Sequence, residues 1–327
     1  MVKKLILWAI VIIFGTVLGF RGAAGLRETA MVDDMVPNQG RMVSTAMGDI
    51  YLEENGPADG IPVLLVHGSI GWAGLWRETS QALAAAGYRA IAFDMPPMGF
   101  SQRDAGHDYG RENQARRVLA LVDALAIKPQ LVAHSFGAGA ATEAVMMAPD
   151  AFAGLVLVDA ALGLGALDAT PKLHWALRPQ AVREALISLS VTNPLATKTL
   201  LAQFLHRKDR ANDYYVGILQ EPMALVGTTA EAAHWLPTLL VAPTDARSRK
   251  LENFAGIAVP VAIIWGEQDT ATPPDQAHQL VEIISPGQPG GNVHLTMLPN
   301  VGHIPQIEDP AQFNAALIST LLGMENQ

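Results

Sequence analysis

Three residues able to carry nucleophilic catalysis stand far apart in the chain, each among small or turn-forming neighbours. They are Ser135 in Ala133-His134-Ser135-Phe136-Gly137, Asp269 in Gly266-Glu267-Gln268-Asp269, and His303 in Gly302-His303-Ile304-Pro305. A serine hydroxyl is a poor nucleophile until a base lies within hydrogen-bond reach. An imidazole supplies the base, and a carboxylate fixes its tautomer and stabilises its protonated form. Ser135, His303 and Asp269 are therefore the candidate nucleophile, base and acid. Attack on a carbonyl makes an oxyanion, which needs N–H donors where the charge develops. The backbone N–H groups of Phe136, just after the serine, and of Ser69, in His67-Gly68-Ser69-Ile70-Gly71, are the candidate donors.

Each position also has a plainer reading. A small-x-Ser-x-Gly corner alone is equally an ordinary helix start, so its weight comes from its partners. Asp159, at the end of an apolar run, is a second candidate acid and otherwise a cap on a strand–loop junction. His134 reads as structural, facing away from the serine. His67 reads as a brace for the oxyanion loop. Trp76 and Trp265 read as core or pocket wall.

These residues need a scaffold that brings distant chain segments together. Short apolar runs at 61–66, 88–93, 131–134, 155–158, 259–265 and 293–298 read as strands, with a further strand pair within 40–52. Helical spacing falls between them at 75–86, 113–125, 138–147 and 311–322. Apolar strands alternating with helices indicate a parallel sheet covered on both faces. The rhythm breaks between 162 and 252, where helical segments at 180–189, 195–204, 214–225 and 229–240 follow one another without a strand. Residues 282–292, rich in Gly and Pro, read as a surface loop.

Composition sets limits. Half of the 327 residues are hydrophobic, enough for a substantial core. A net charge of -9 argues against nucleic acid as a partner. With no cysteine, thiolate catalysis, disulfides and Cys-based metal sites are excluded. No His-Glu-x-x-His pattern and no phosphate-binding Gly-Lys-Ser/Thr loop occurs, so neither metal nor cofactor is implied.

At the N-terminus, Lys3 and Lys4 precede sixteen uncharged residues, and Arg21 and Arg27 follow. At about 1.5 Å per residue the run covers roughly 24 Å. The expectation is an N-terminal membrane anchor or signal segment over 1–27, with the catalytic domain on the non-cytoplasmic side of a membrane. The alternative is a secreted or periplasmic protein after cleavage near Gly22-Ala23-Ala24.

Together the pieces resemble the α/β-hydrolase superfamily, in particular its capped serine-hydrolase branch of esterases, carbon–carbon bond hydrolases and haloperoxidase-like relatives. The resemblance rests on Val63-Leu64-Leu65-Val66-His67-Gly68-Ser69, Asp94-Met95-Pro96-Pro97-Met98-Gly99-Phe100-Ser101, the Ser135 corner, and the Asp269 and His303 segments. It covers about 48–324. It implies a mostly parallel eight-stranded α/β-hydrolase sheet with a helical cap inserted after strand six. The divisions are 28–161 and 253–327 for the core and 162–252 for the cap. Two departures stand out: Ala133 where the family corner opens with glycine, and Pro97 where its later turn has glycine.

The resemblance implies an acyl-enzyme mechanism on a small-molecule substrate. Cleavage of a carboxylic ester with a neutral or apolar acyl group is the leading expectation, because the cap lacks a charge cluster of one sign. Amide, lactone or carbon–carbon bond hydrolysis, or perhydrolase chemistry, is the first alternative. A non-catalytic, membrane-associated binding protein is the second. Pocket candidates are His67, Trp76, Trp175, Tyr214, Tyr215, Trp235 and Ile304.

Overall fold

Uninterrupted apolar runs become the middle of a sheet because both of their faces are covered. In the computed structural model, which describes residues 2–163, 172–243, 246–288, 291 and 293–325, β3 (Pro62–Val66), β4 (Arg89–Phe93), β5 (Gln130–His134), β6 (Gly154–Val158) and β7 (Val261–Gly266) are almost wholly buried. With β1 (Gly40–Thr45), β2 (Gly48–Asn55) and β8 (His294–Leu298) they form one eight-stranded sheet in the order β1-β2-β4-β3-β5-β6-β7-β8. The β1–β2 and β2–β4 pairings are antiparallel, and every later pairing is parallel.

The order reverses at β3: the chain crosses to β4 on one side and then to β5 on the other. Crevices open at such switch points, beyond the carboxyl ends of the strands. The loops after β3 and β5 carry Ser69 and Ser135, so both are delivered to that crevice.

The helices α3 (Arg77–Ala85), α4 (Arg111–Leu125), α5 (Gly137–Met147), α10 (Asp275–Ile284) and α12 (Pro310–Glu325) cover the sheet. One core layer joins Leu64, Leu131 and Leu155 to Val118, Ala141 and Leu280. The other joins Leu65, Val132 and Val156 to Leu83, Phe313 and Leu317. Alternate side chains of one strand thus feed two cores, the period-two rule of an extended chain.

Between β6 and β7 the cap contributes α6 (Gln180–Leu189), α7 (Pro194–Phe204), α8 (Asp213–Gln220) and α9 (Thr228–Leu240). Short polar residues set the starts: Asn193 accepts from the N–H of Leu195 for α7, and Asn212 from Tyr214 and Tyr215 for α8. The helix expected over 214–225 stops at Gln220. Pro222 places the following residues in a tighter turn, Glu221–Ala224. The loop expected at 282–292 begins later, because α10 runs to Ile284. Residues 289, 290 and 292 lie outside the described residues.

The membrane expectations are corrected. Among the described residues no helix is long and apolar enough to cross a membrane. The predicted anchor is part of α1 (Val2–Arg27), which precedes the short α2 (Val32–Met35). Its charge-free stretch ends at Arg21, short of the ~30 Å hydrocarbon core of a bilayer. The arginines beyond it are committed to the cap. Arg21 Nε lies 2.8 Å from Glu184 of α6, and Arg27 Nη2 donates to the Thr192 carbonyl at 2.6 Å. Ala24 is buried, and the N–H of Ala30 reaches Ala224 O. The transmembrane and signal-anchor assignments, the membrane as a partner, and the non-cytoplasmic placement built on them are therefore withdrawn.

Candidate active site

Ser135 sits between the last residue of β5 and the first of α5, with φ 51°. A non-glycine residue rarely takes that left-handed conformation. Here it turns the side chain out of the strand direction while the helix starts at once. Gly137 permits the turn: a Cβ there would run into the backbone oxygen of His67. Ala133, where glycine was the norm, is fully buried in β5 opposite Val66 and Leu157, so its methyl is accommodated as core. In the turn after β4 the left-handed position falls on Gly99, at φ 65°, and leaves Pro97 outside it.

The three distant segments meet. Ser135 Oγ lies 2.8 Å from His303 Nε2, and His303 Nδ1 lies 2.7 Å from Asp269 Oδ2. All three are buried, with 6%, 5% and 3% exposure. Burial works to raise the Asp269 carboxyl, but hydrogen bonding and charge from His303, with the hydrogen bonds of Thr272, outweigh it and hold the group below the usual carboxylate value. An ionised acid, a bridging imidazole and a hydroxyl in line are the parts of a nucleophile–base–acid triad, in which the hydroxyl proton passes to the imidazole and the carboxylate stays ionised.

The base is fixed from several sides. The His303 N–H donates to Phe204 O at the end of α7, at 3.0 Å. His134 Nε2 lies 2.7 Å from the His303 carbonyl and donates to it. Gly302 N–H donates to Glu308 in α11 (Pro305–Glu308). Burial, and then the charge of His303, push His134 down to about 3, so it stays neutral and serves as a strut.

Asp159 is fully buried, in contact range of the triad. Its Oδ1 accepts from Gly266 N–H at 2.9 Å, while Oδ2 has no partner. Burial first, and the nearby Asp269 charge second, raise its pKa well above the ordinary value. A neutral Asp159 can donate a hydrogen bond but cannot stabilise an imidazolium by charge. Potential ligand atoms of Asp159, Asp269 and His303 lie within 4.8 Å of one another. A cation there would have to displace the proton shared by His303 and Asp269.

The remaining candidates separate. Ser69 and Ile304 line a cavity of about 60 Å³ beside the serine, walled on that side by its neighbours Gly68 and His134 and elsewhere by Ile70, Leu75, Leu201, Phe204 and Met223 among others. Among the described residues, Ser69, Thr197 and His134 are its polar wall residues, and no charged residue lines it. His67 is buried under the loop after β3. Its Nδ1 donates to Gly68 O at 2.8 Å and its Nε2 accepts from Met95 N–H at 2.9 Å; burial pushes it down to about 4. Trp76 is fully buried, edge-on to His134. Trp235 lies edge-on to Phe136 at 5.4 Å. Tyr215 is buried and donates to Glu78 at 2.6 Å. Trp175 and Tyr214 are exposed on the cap, at 72% and 54%, and do not line the cavity.

One working residue escaped the sequence reading. Thr272 donates through Oγ1 to Asp269 Oδ2 at 2.6 Å, and its N–H donates to Oδ1 at 3.0 Å. The Asp-x-x-Thr spacing was the available signal: a side-chain oxygen readily accepts from backbone two or three residues on.

Known proteins share this architecture. A family profile described as alpha/beta hydrolase fold matches residues 61–310. The chain is 29% identical over 272 residues to the dihydrolipoyllysine-residue acetyltransferase component of an acetoin cleaving system from Pseudomonas putida. That match covers 82% of this chain and 65% of the relative, so the chain spans less than two thirds of it. It is 27% identical over 297 residues to a 2-hydroxy-6-oxo-2,4-heptadienoate hydrolase of Pseudomonas putida, covering 88% of this chain and 97% of the relative. Among solved structures, a meta-cleavage product hydrolase from Pseudomonas fluorescens superimposes with TM-score 0.65 at 23% identity, over 87% of this chain and 98% of the other.

Proposed function

The chain belongs to the α/β-hydrolase family and is a serine hydrolase, and from that premise we propose that Ser135 cleaves the bond between a ketone carbon and an enolisable carbon. The similarity along 97% of a relative named for a 2-hydroxy-6-oxo-dienoate carries this reading over the ester cleavage expected from sequence. The chemistry suits the site. Ser135 Oγ adds to the ketone as His303 takes its proton. The oxyanion meets the N–H groups of Ser69 and Phe136, which have no acceptor of their own among the described residues. Collapse breaks the carbon–carbon bond, and the electron pair leaves as an enolate. His303 returns the proton to carbon or oxygen of that leaving group. Water, deprotonated by His303, then frees the acid from Ser135.

The test compares 2-hydroxy-6-oxo-2,4-heptadienoate with a series of p-nitrophenyl esters. The expected outcome is a higher kcat/KM on the dienoate, lost by about 10³-fold or more in Ser135→Ala. An inert dienoate with rapidly cleaved esters would return the assignment to ester hydrolysis. That second reading is favoured by one observation, a cavity beside the serine without a charged wall among the described residues.

A further inference from the structure

The cavity beside Ser135, reached through Gly68, Ser69 and His134, does not end at its apolar walls. Ile70, Val191, Leu219 and Met223 also line a second space of about 30 Å³, between the cap and the loop after β4. A water needs roughly 10–15 Å³ by this kind of measure, so the second space suits a small head group rather than more chain. Its walls include Thr192, Thr228 and Arg103.

Arg103 is unusual. Its Nη2 donates to Thr228 Oγ1 at 3.2 Å, but its Nε is buried with no hydrogen-bond partner. Among the described residues no carboxylate stands within ion-pairing distance of it. Three acidic residues are near, Glu231, Glu28 and Asp94, the last pushed up to about 8 by burial, yet each has other commitments. Glu231 takes Tyr109 and His107, Asp94 takes the N–H groups of Ala73 and Phe100, and Glu28 takes Thr229. Leaving a guanidinium donor buried and unmatched is unfavourable unless a ligand completes it. A carboxylate does so best, because its two oxygens match the planar fork of arginine.

We propose that Arg103 is an anion anchor, and that the natural substrate carries a carboxylate on the far side of an apolar spacer from the carbonyl attacked by Ser135. The inference rests on the serine-nucleophile reading above and adds to it the residue that would hold the substrate's carboxylate. Apolar walls would hold the spacer, and Met223, unbranched and adaptable, can shift to join the two spaces.

Boronic acids test it, since they bond reversibly to a catalytic serine and need no turnover. Straight alkylboronic acids are compared by calorimetry with ω-carboxyalkylboronic acids of three to seven methylenes, on the full chain. At one spacer length the carboxylate is expected to tighten binding about 10-fold or more, and 0.5 M salt should leave most of that gain, as for a buried pair. Arg103→Met should abolish the gain and change binding of the alkyl compound less than about 2-fold, while Arg103→Lys keeps part of it. If Arg103→Met does not fold, wild type and Arg103→Lys decide. Alkyl and carboxyalkyl compounds binding wild type alike at every length would overturn the anchor and leave the nucleophile standing. Binding of neither, or equal binding in Ser135→Ala, would remove the nucleophile reading and the anchor with it.

Discussion

Thr272 Oγ1 lies 2.6 Å from Asp269 Oδ2 and 3.2 Å from His303 Nδ1, so one hydroxyl reaches both members of the acid–base pair. Its proton goes to the carboxylate. The Asp269 carboxylate is thereby held by Thr272 Oγ1 and His303 on one oxygen and by the N–H groups of Ala271 and Thr272 on the other. That arrangement leaves the acid one orientation, and the imidazole inherits it.

Thr272→Val keeps the volume and removes the donor. The expected result is a kcat lower by about 10-fold, near 1.4 kcal/mol of transition-state stabilisation. Thr272→Ser should recover most of the loss. Steady-state kinetics on all three proteins, with thermal melts alongside, make the check. A valine variant within 2-fold of wild type would show that the backbone donors orient Asp269 alone.

Two histidines give stability an acid limb. His67 and His134 are pushed down to about 4 and about 3, against roughly 6.5 in an unfolded chain. Between those values the unfolded state binds more protons, so stability rises with pH. Their contribution is fully present above about pH 6.5 and is lost as pH falls towards 4, by up to about 1.4 kcal/mol per pH unit for each group. Urea midpoints across pH 4 to 8 should show it, and His134→Gln should flatten the slope by about one proton. An unchanged slope in that variant would contradict the burial assignment.

Asp159 works in the opposite direction. Its folded pKa is raised, so above roughly pH 3.8 the folded state holds a proton the unfolded state has released, and stability falls as pH rises. Asp159→Asn imitates the protonated acid: its oxygen can accept from Gly266 N–H and its amide can donate to Asp269. The variant should keep activity within about 3-fold and gain stability over wild type as pH increases. A large loss of kcat with an intact fold would mean that Asp159 works as an anion.

Much of this was legible in the chain because the signals were local. The runs that became β3 to β7 are apolar without interruption, and helical spacing at 195–204 marked α7. Ser135, Asp269 and His303 were readable because each stands at a strand's carboxyl end. What could not be read depends on tertiary encounters. Nothing near Arg21 or Arg27 in sequence says that their partners are Glu184 and the Thr192 carbonyl, so an apolar N-terminal helix looked like a membrane segment. Trp175 and Tyr214 looked like pocket residues by type, but cap packing turns them outward. The unmatched Nε of Arg103 is likewise a fact about neighbours.

Gly68 leaves little room beside the nucleophile. A Cβ built there would stand 2.8 Å from His134 Nδ1 and 2.9 Å from Ser135 Cβ, neither of which is the free end of a flexible chain. Gly68→Ala must therefore push the loop away from the nucleophile, and Ser69 N–H moves with it. Because a donor has to sit about 3 Å from the developing oxyanion, the expected loss in kcat is about 10²-fold, near the cost of removing one oxyanion donor. Stability should fall by only ~1–3 kcal/mol, as for other overpacked sites. Gly71→Ala is the matched control. Its added methyl meets first the Leu75 Cδ1 at 3.0 Å, a side-chain end that can rotate, so its kcat should stay within about 3-fold of wild type. Near-normal turnover in Gly68→Ala would mean that the Ser69 N–H does not stabilise the oxyanion, and would leave Phe136 as its backbone donor.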